Sequence, residues 1–268
     1  MERQTPQDGP DKGVECIDVE WRDFPELLKQ LAHSSETNEY VIKPPLFRGQ
    51  ANSDWGLQTT LERNARLGNE ICVGRYNAAV ISMGALLKGF VDDLPSFESD
   101  EIEYPPAEEL RYRSLQNKEL AVFLRHHGFP SPLLDWSRSP YVAAYFAFKE
   151  ESSNAQKRGI YYFERPRTWA GEAGFELYDL GPFVAGGKRH ANQQAQYTWC
   201  SRREGETAFF DTHQQHLHGH LKKIRIPSLS RSEVLADLNA MNINDFSLFG
   251  TTDALVQVSL KLLEPQGF

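Results

Sequence analysis

The sequence predicts an α+β fold, a single domain of mixed or antiparallel sheets with flanking helices. Three observations carry that expectation. Segments of strand character and segments of helical periodicity are interspersed along the chain. The 268 residues, 40% apolar and 25% charged, hold enough material for one sizeable core. No internal repeat, low-complexity block or long linker divides the sequence.

Residues 1–15, rich in Gln, Asp, Gly and Pro, are expected to be a loose tail, and 16–268 the folded domain with a helical extension at its start. Asp23-Phe24-Pro25-Glu26 opens an amphipathic helix. Pro suits a first turn, Asp with Glu three residues on resembles a capping box, and Leu27, Leu28 and Leu31 form the apolar stripe. Leu46-Phe47-Arg48, between Pro44-Pro45 and Gly49, is strand-like. Residues 70–90 predict a helix weakened by Gly74, Gly84 and Gly89. An acidic connector at 97–110 precedes a helix ending near Arg125, with Gly128 as its stop signal.

SPLLDW (131–136) reads as a short buried strand, and Ser139 and Pro140 take the cap and first position of an apolar helix. GIYYFE (159–164) and KIRIP (223–227) are strands. Residues 165–221 alternate loop with possible strand, and Glu204-Gly205-Glu206 suits a polar hairpin tip. Ser230-Arg231-Ser232-Glu233 has a capping-box pattern for a helix turning Val234, Leu235, Leu238 and Met241 inward.

A net charge of -8 and a pI of about 5.5 argue against a surface that grips duplex nucleic acid as a whole. Lys188-Arg189-His190, Arg202-Arg203 and Lys222-Lys223-Ile224-Arg225 are local basic groups, read first as solvated surface. Cys16, Cys72 and Cys200 give no disulfide framework or CxxC pattern. The polar start, MERQTPQDGPDKG, is unlike a signal peptide, and no apolar run approaches ~18 residues. A reducing, cytoplasmic setting without membrane association is expected.

The stretch RHHGFPSPLLDWSRSPYVAAYFAF (125–148) places two histidines and an Asp-Trp-Ser ahead of a helix that is apolar all round. A helix N-terminus offers unpaired N–H groups and the positive end of its dipole, which suit phosphate. Ser137 and Ser139 add hydroxyls, Trp136 offers a ring for stacking, and Asp135 an acceptor for a ribose hydroxyl. The plainer reading has Asp135 and Ser139 capping the helix and Trp136 in the core. Phe47-Arg48-Gly49-Gln50 reads as a phosphate or ribose clamp, with Gly49 admitting close approach, or as an arginine paired with a carboxylate. His213, His216, His218 and His220 invite a metal reading but match no zinc spacing, and no metal is expected. No GxSxG elbow points to a hydrolase.

The blocks FRGQANSDWGLQTTLER (47–63), LRHHGFPSPLLDWSRSPYVAAYFAF (124–148), KRHANQQAQYTW (188–199) and KKIRIPSLSRSEVLADLNAMNINDFSLFG (222–250) resemble, in order, those of FRG-domain proteins, from about residue 20 onward. The resemblance suggests a further kinship with ADP-ribosyltransferases, hence an ADP-ribosyltransferase-like fold and NAD as substrate. Arg48-Gly49 looks like the unit that holds the dinucleotide, and LLDWSRSPYVAAYFAF like the turn and helix supporting the nicotinamide ribose. Gln193-Gln194 stands where those enzymes place a glutamate. An amide orients a ribose but stabilises an oxocarbenium-like sugar less than a carboxylate does. The implied roles are Arg48 gripping the dinucleotide, His126, Ser137 and Ser139 lining it, Trp136 or Tyr197 stacking, and Gln193 or Gln194 positioning the ribose. ADP-ribose would then pass to a macromolecule or to water. The alternative is a binding module for a nucleotide or nucleic acid that breaks no bond.

Overall fold

The computed structural model describes residues 2–4, 11–36, 44–64, 71–98, 114–151, 155–165, 175–181, 184, 187–251 and 254. Its strands are β1 (Glu2–Gln4), β2 (Glu15–Asp18), β3 (Leu46–Gln50), β4 (Leu134–Ser137), β5 (Lys157–Phe163), β6 (Phe175–Asp179), β7 (Ala195–Glu204), β8 (Thr207–Phe210) and β9 (Leu221–Pro227). Its helices are α1 (Phe24–Glu36), α2 (Val73–Leu87), α3 (Lys118–His126), α4 (Pro140–Phe148), α5 (Gly187–Asn192), α6 (His213–Leu217), α7 (Arg231–Ala240) and α8 (Asp245–Phe249). The expected fold class holds at this level: a mixed sheet with helices packed against it. Most of the acidic connector lies outside the described residues.

Among the described residues the strands form one nine-stranded sheet, in the order β1-β2-β9-β5-β3-β4-β7-β6, with β8 also on β7. Only β2 and β9 run parallel. Strand alternation splits the core in two. Ile160 and Tyr162 of β5 join Phe47, Ile224 and Ile226 under α1, α4 and α7. Tyr161 and Phe163 join Leu46, Leu134 and Trp136 on the opposite side. A third cluster packs α2 and α3 against Tyr197 and Trp199 of β7.

Helix α4 begins as its sequence predicts: Ser139 accepts a hydrogen bond from the Val142 N–H at 3.3 Å, and Pro140 is its first residue. Helix α7 departs from expectation. Ser230 makes no side-chain capping bond because the chain arrives through a 3-10 turn at φ -74°, ψ 2°, close to helical rather than extended. Val234 and Leu238 are buried, but Met241 lies beyond the helix and is 50% exposed. A complete capping box occurs instead at α8, between Asn244 and Ser247. Glu204-Gly205-Glu206 is a hairpin tip between β7 and β8, with Gly205 at φ 61°.

The segment expected to be a loose tail contributes structure. Its first residues pair with β2. Asp11 is buried and accepts from the fully buried Lys223 ammonium at 2.7 and 2.8 Å. A buried lysine requires such a partner, and nothing local to Lys223 points to one 212 residues away. No helix among the described residues is long and apolar enough to cross a membrane.

Candidate functional site: a cationic cleft between two strands

Strands β3 and β4 share one residue pair, Phe47 opposite Ser137. A cavity of about 360 Å³ is lined by residues of both strands together with β7, α4, α5 and α8. The Arg48 guanidinium spans the two strands, donating to the Asp135 main-chain carbonyl at 2.8 Å and to the Asp135 carboxylate. It thereby satisfies a strand carbonyl where the main-chain ladder is short. Arg125 Nη2, from α3, donates to the same carboxylate oxygen at 2.5 Å. Asp135 is thus shared by two guanidiniums. Being ringed by protein would raise its carboxyl, but Arg125 and Arg48 outweigh that and hold it well below the usual carboxylate range.

The cleft carries more positive than negative charge. Arg48, Arg63, Lys149 and Arg189 line it against Asp135 and Glu150. Among the described residues Arg63 and Arg189 form no ion pair with a carboxylate. Burial and the neighbouring Arg48 and Arg125 push the Arg63 guanidinium down from its ordinary pKa. Burial does the same to Arg189, which sits 4.7 Å from the Phe249 ring centroid. Lys149 lies over the same ring at 4.4 Å. Arg48 Nε, Arg189 Nε and Gln50 Oε1 are buried without a hydrogen-bond partner. The first two are donors and the third an acceptor, and all three belong to residues that line the cavity.

The structure brings most of the sequence-predicted residues together but gives several of them other work. Arg48, Gly49, Gln50, His126, Asp135, Trp136, Ser137, Gln193 and Tyr197 border the cavity. Gly49 is occupied by the fold: a Cβ there would collide with the Ala143 carbonyl oxygen and sit 2.7 Å from the Ala147 nitrogen, so it admits α4. Trp136 is 2% exposed, packs on Phe163 and donates to Thr198 Oγ1 at 2.8 Å, which makes it core and withdraws it from stacking. Ser137 donates to the Gln193 carbonyl and accepts from the Ser139 N–H.

Ser139 caps α4 and does not border the cavity. The cleft meets α4 at Ala143, Phe146 and Lys149, its middle and end, so the phosphate seat expected at the N-terminus is not where the cavity lies. Tyr197 is fully buried and its hydroxyl lies 3.2 Å from His126 Nε2. Burial, followed by the cations Arg189 and Arg125, holds His126 down to about 4. Gln193 donates to the Leu248 carbonyl at 3.3 Å. Gln194 is exposed, has φ 49° and stands outside the cavity lining.

Sequence reading missed Trp55, Arg63, Arg125, Arg189 and Phe249. All five lie inside blocks already singled out, and Arg189 also belongs to a basic group read as solvated surface. In the histidine group, His213 is fully buried and His216 pairs with Asp211 at 3.1 Å. Among the described residues no three His, Cys, Asp or Glu side chains are placed to hold a metal.

Fold and site together define a mixed α/β domain with an anion-receptive cleft at a parting of its sheet. Residues 43–156 match the family model of the FRG domain. That span holds β3, α2, α3, β4 and α4, hence Arg48, Arg125 and Asp135, whereas Arg189, Gln193, Tyr197 and Phe249 lie beyond it. No curated protein and no solved structure matches the chain.

Proposed function

We propose that the cleft binds a phosphorylated nucleotide, with NAD and ADP-ribose as the leading candidates. One observation carries the reading: the guanidiniums of Arg63 and Arg189 border a polar cavity without a carboxylate partner among the described residues, in a chain of net charge -8. Phosphate oxygens supply the counter-charge. The half-exposed Asp135 carboxylate, held ionised, accepts from ribose hydroxyls. A volume of about 360 Å³ falls within the range of small-molecule sites and suits a mononucleotide-sized portion of the ligand.

A second reading adds NAD cleavage on an ADP-ribosyltransferase-like fold, with ADP-ribose passed to a macromolecule or to water. It is favoured by the convergence of Arg48, Ser137 and Gln193 on one cleft from three separate sequence blocks. Departure of nicotinamide leaves a cationic sugar, however. The lining carboxylates are Asp135, already bound to two guanidiniums, and Glu150. Such surroundings favour holding an anion over forming a cation.

Calorimetric titration with ADP-ribose, beside an assay for free nicotinamide from NAD, separates these readings. Arg63→Gln and Arg189→Gln are each expected to weaken ADP-ribose binding about tenfold, the low end for a hydrogen bond to a charged group. Undiminished affinity in both variants would sink the binding reading. Nicotinamide release that disappears in Gln193→Ala would establish the second reading, and absence of release with binding intact would leave the module as a binder.

A further inference from the structure

Trp55 stands out beside the cleft. Among the described residues the other indoles, Trp21, Trp136 and Trp199, are at most 4% exposed, while Trp55 borders the cavity and is 49% exposed. An open indole is costly to leave in water and has the flat face that a heteroaromatic base stacks on.

Its backbone is held from beneath. Lys223 Nζ donates to the Trp55 carbonyl at 2.8 Å and to the Ser53 carbonyl at 2.5 Å. The Tyr161 hydroxyl donates to the Trp55 carbonyl at 3.3 Å and also contacts Asp11. Gly159 gives the loop room, since a Cβ there would stand 3.2 Å from Ser53 Cα. Burial pushes the Lys223 ammonium down, and the carboxylate of Asp11, bonded to it at 2.7 and 2.8 Å, opposes that shift. The N-terminal segment therefore completes the support of this loop.

We infer that Trp55 is the platform on which the ligand's ring stacks, and that Asp11, through Lys223, positions it. The inference rests on the nucleotide reading above and extends it to the ring and to the N-terminal segment.

The test compares ADP-ribose, which has a ring, with inorganic pyrophosphate, which has none. Trp55→Ala is expected to weaken ADP-ribose about tenfold, the scale of one stacked base, and to leave pyrophosphate affinity unchanged, with Trp55→Phe restoring most of the loss. Asp11→Asn is expected to weaken ADP-ribose in the same selective way. It should also raise iodide quenching of the emission that Trp55→Phe removes, a signature that general destabilisation does not produce. Should Asp11→Asn fold poorly, the paired Asp11→Leu/Lys223→Met variant keeps the site filled while deleting the bonds to the loop. Unaltered ADP-ribose affinity in Trp55→Ala, or equal loss for both ligands, overturns this inference alone. Wild-type protein that binds neither ligand overturns the nucleotide reading and this inference with it.

Discussion

Asp135 shows how one residue can serve fold and site together. It joins β3 to α3 by accepting from Arg48 and Arg125, and it is the anionic centre of a cationic cleft. Because its carboxyl is more acidic folded than unfolded, the unfolded chain takes up the proton first as pH falls. The stabilisation is present above the ordinary value of 3.8 and is lost as pH drops through the folded value. Thermal melts from pH 7 to pH 2 should show an acid-side decline that is shallower in Asp135→Asn, with that variant less stable at pH 7. His126 also destabilises the fold on acidification, over a higher window. Its folded pKa of about 4 lies below the ordinary 6.5, so protons bind the unfolded chain preferentially between those values. Full stability stands above pH 6.5 and declines toward pH 4, and His126→Gln should flatten the melting temperature over that window. A histidine resonance already shifted to its protonated position at pH 6 would contradict the assignment.

Elements place the cleft by how closely they approach. Helix α4 lies on β3 at the point where Gly49 has no side chain, and this contact fixes one wall relative to Arg48. Gly49→Ala should therefore cost about 3 kcal/mol or more, the upper range for overpacking, because the opposing atoms are backbone and cannot rotate away. Gly89→Ala, which meets nothing within 4 Å, is the matched control and should stay within about 0.5 kcal/mol. Denaturant titration of the two variants measures the difference directly.

This contact also marks how far sequence reading reaches. The glycine is legible as a place where another stretch of chain approaches closely, and helix α4 is the stretch that does so. Local signals performed well where the determinant was local: Ser139 and Pro140 start α4, and β3, β4, β5 and β9 fall on their expected segments. They failed at α7, where a preceding 3-10 turn overrides the Ser230 signal. The Asp11–Lys223 pair, the Arg125–Asp135 pair and the cleft cations Arg63 and Arg189 depend on which elements become neighbours, and no short window of sequence contains that information.

At the scale of the whole molecule the charge distribution opposes the net charge. A chain of -8 repels anions at long range, yet its cleft gathers arginines from β3, α5 and the segment after β3. An anion must be drawn by short-range attraction within the cleft, where the solvent-exposed part of the field is screened over about 10 Å at 0.1 M salt. Raising salt from about 50 to 500 mM should consequently weaken ADP-ribose binding, with a slope set by the cations that meet the phosphates. Arg63→Gln combined with Arg189→Gln should lower the affinity and flatten that slope. It should lower the melting temperature only slightly, because neither guanidinium makes an ion pair among the described residues, Arg63 stands near Arg48 and Arg125, and Arg189 gives up its contact with the Phe249 ring. Affinity measured at several salt concentrations for both proteins, with melts alongside, decides the point. A slope that survives both substitutions would place the anion elsewhere on the molecule. Strongly reduced stability would instead make these arginines part of the scaffold, leaving Arg48 and Lys149 as the lining cations that meet the ligand.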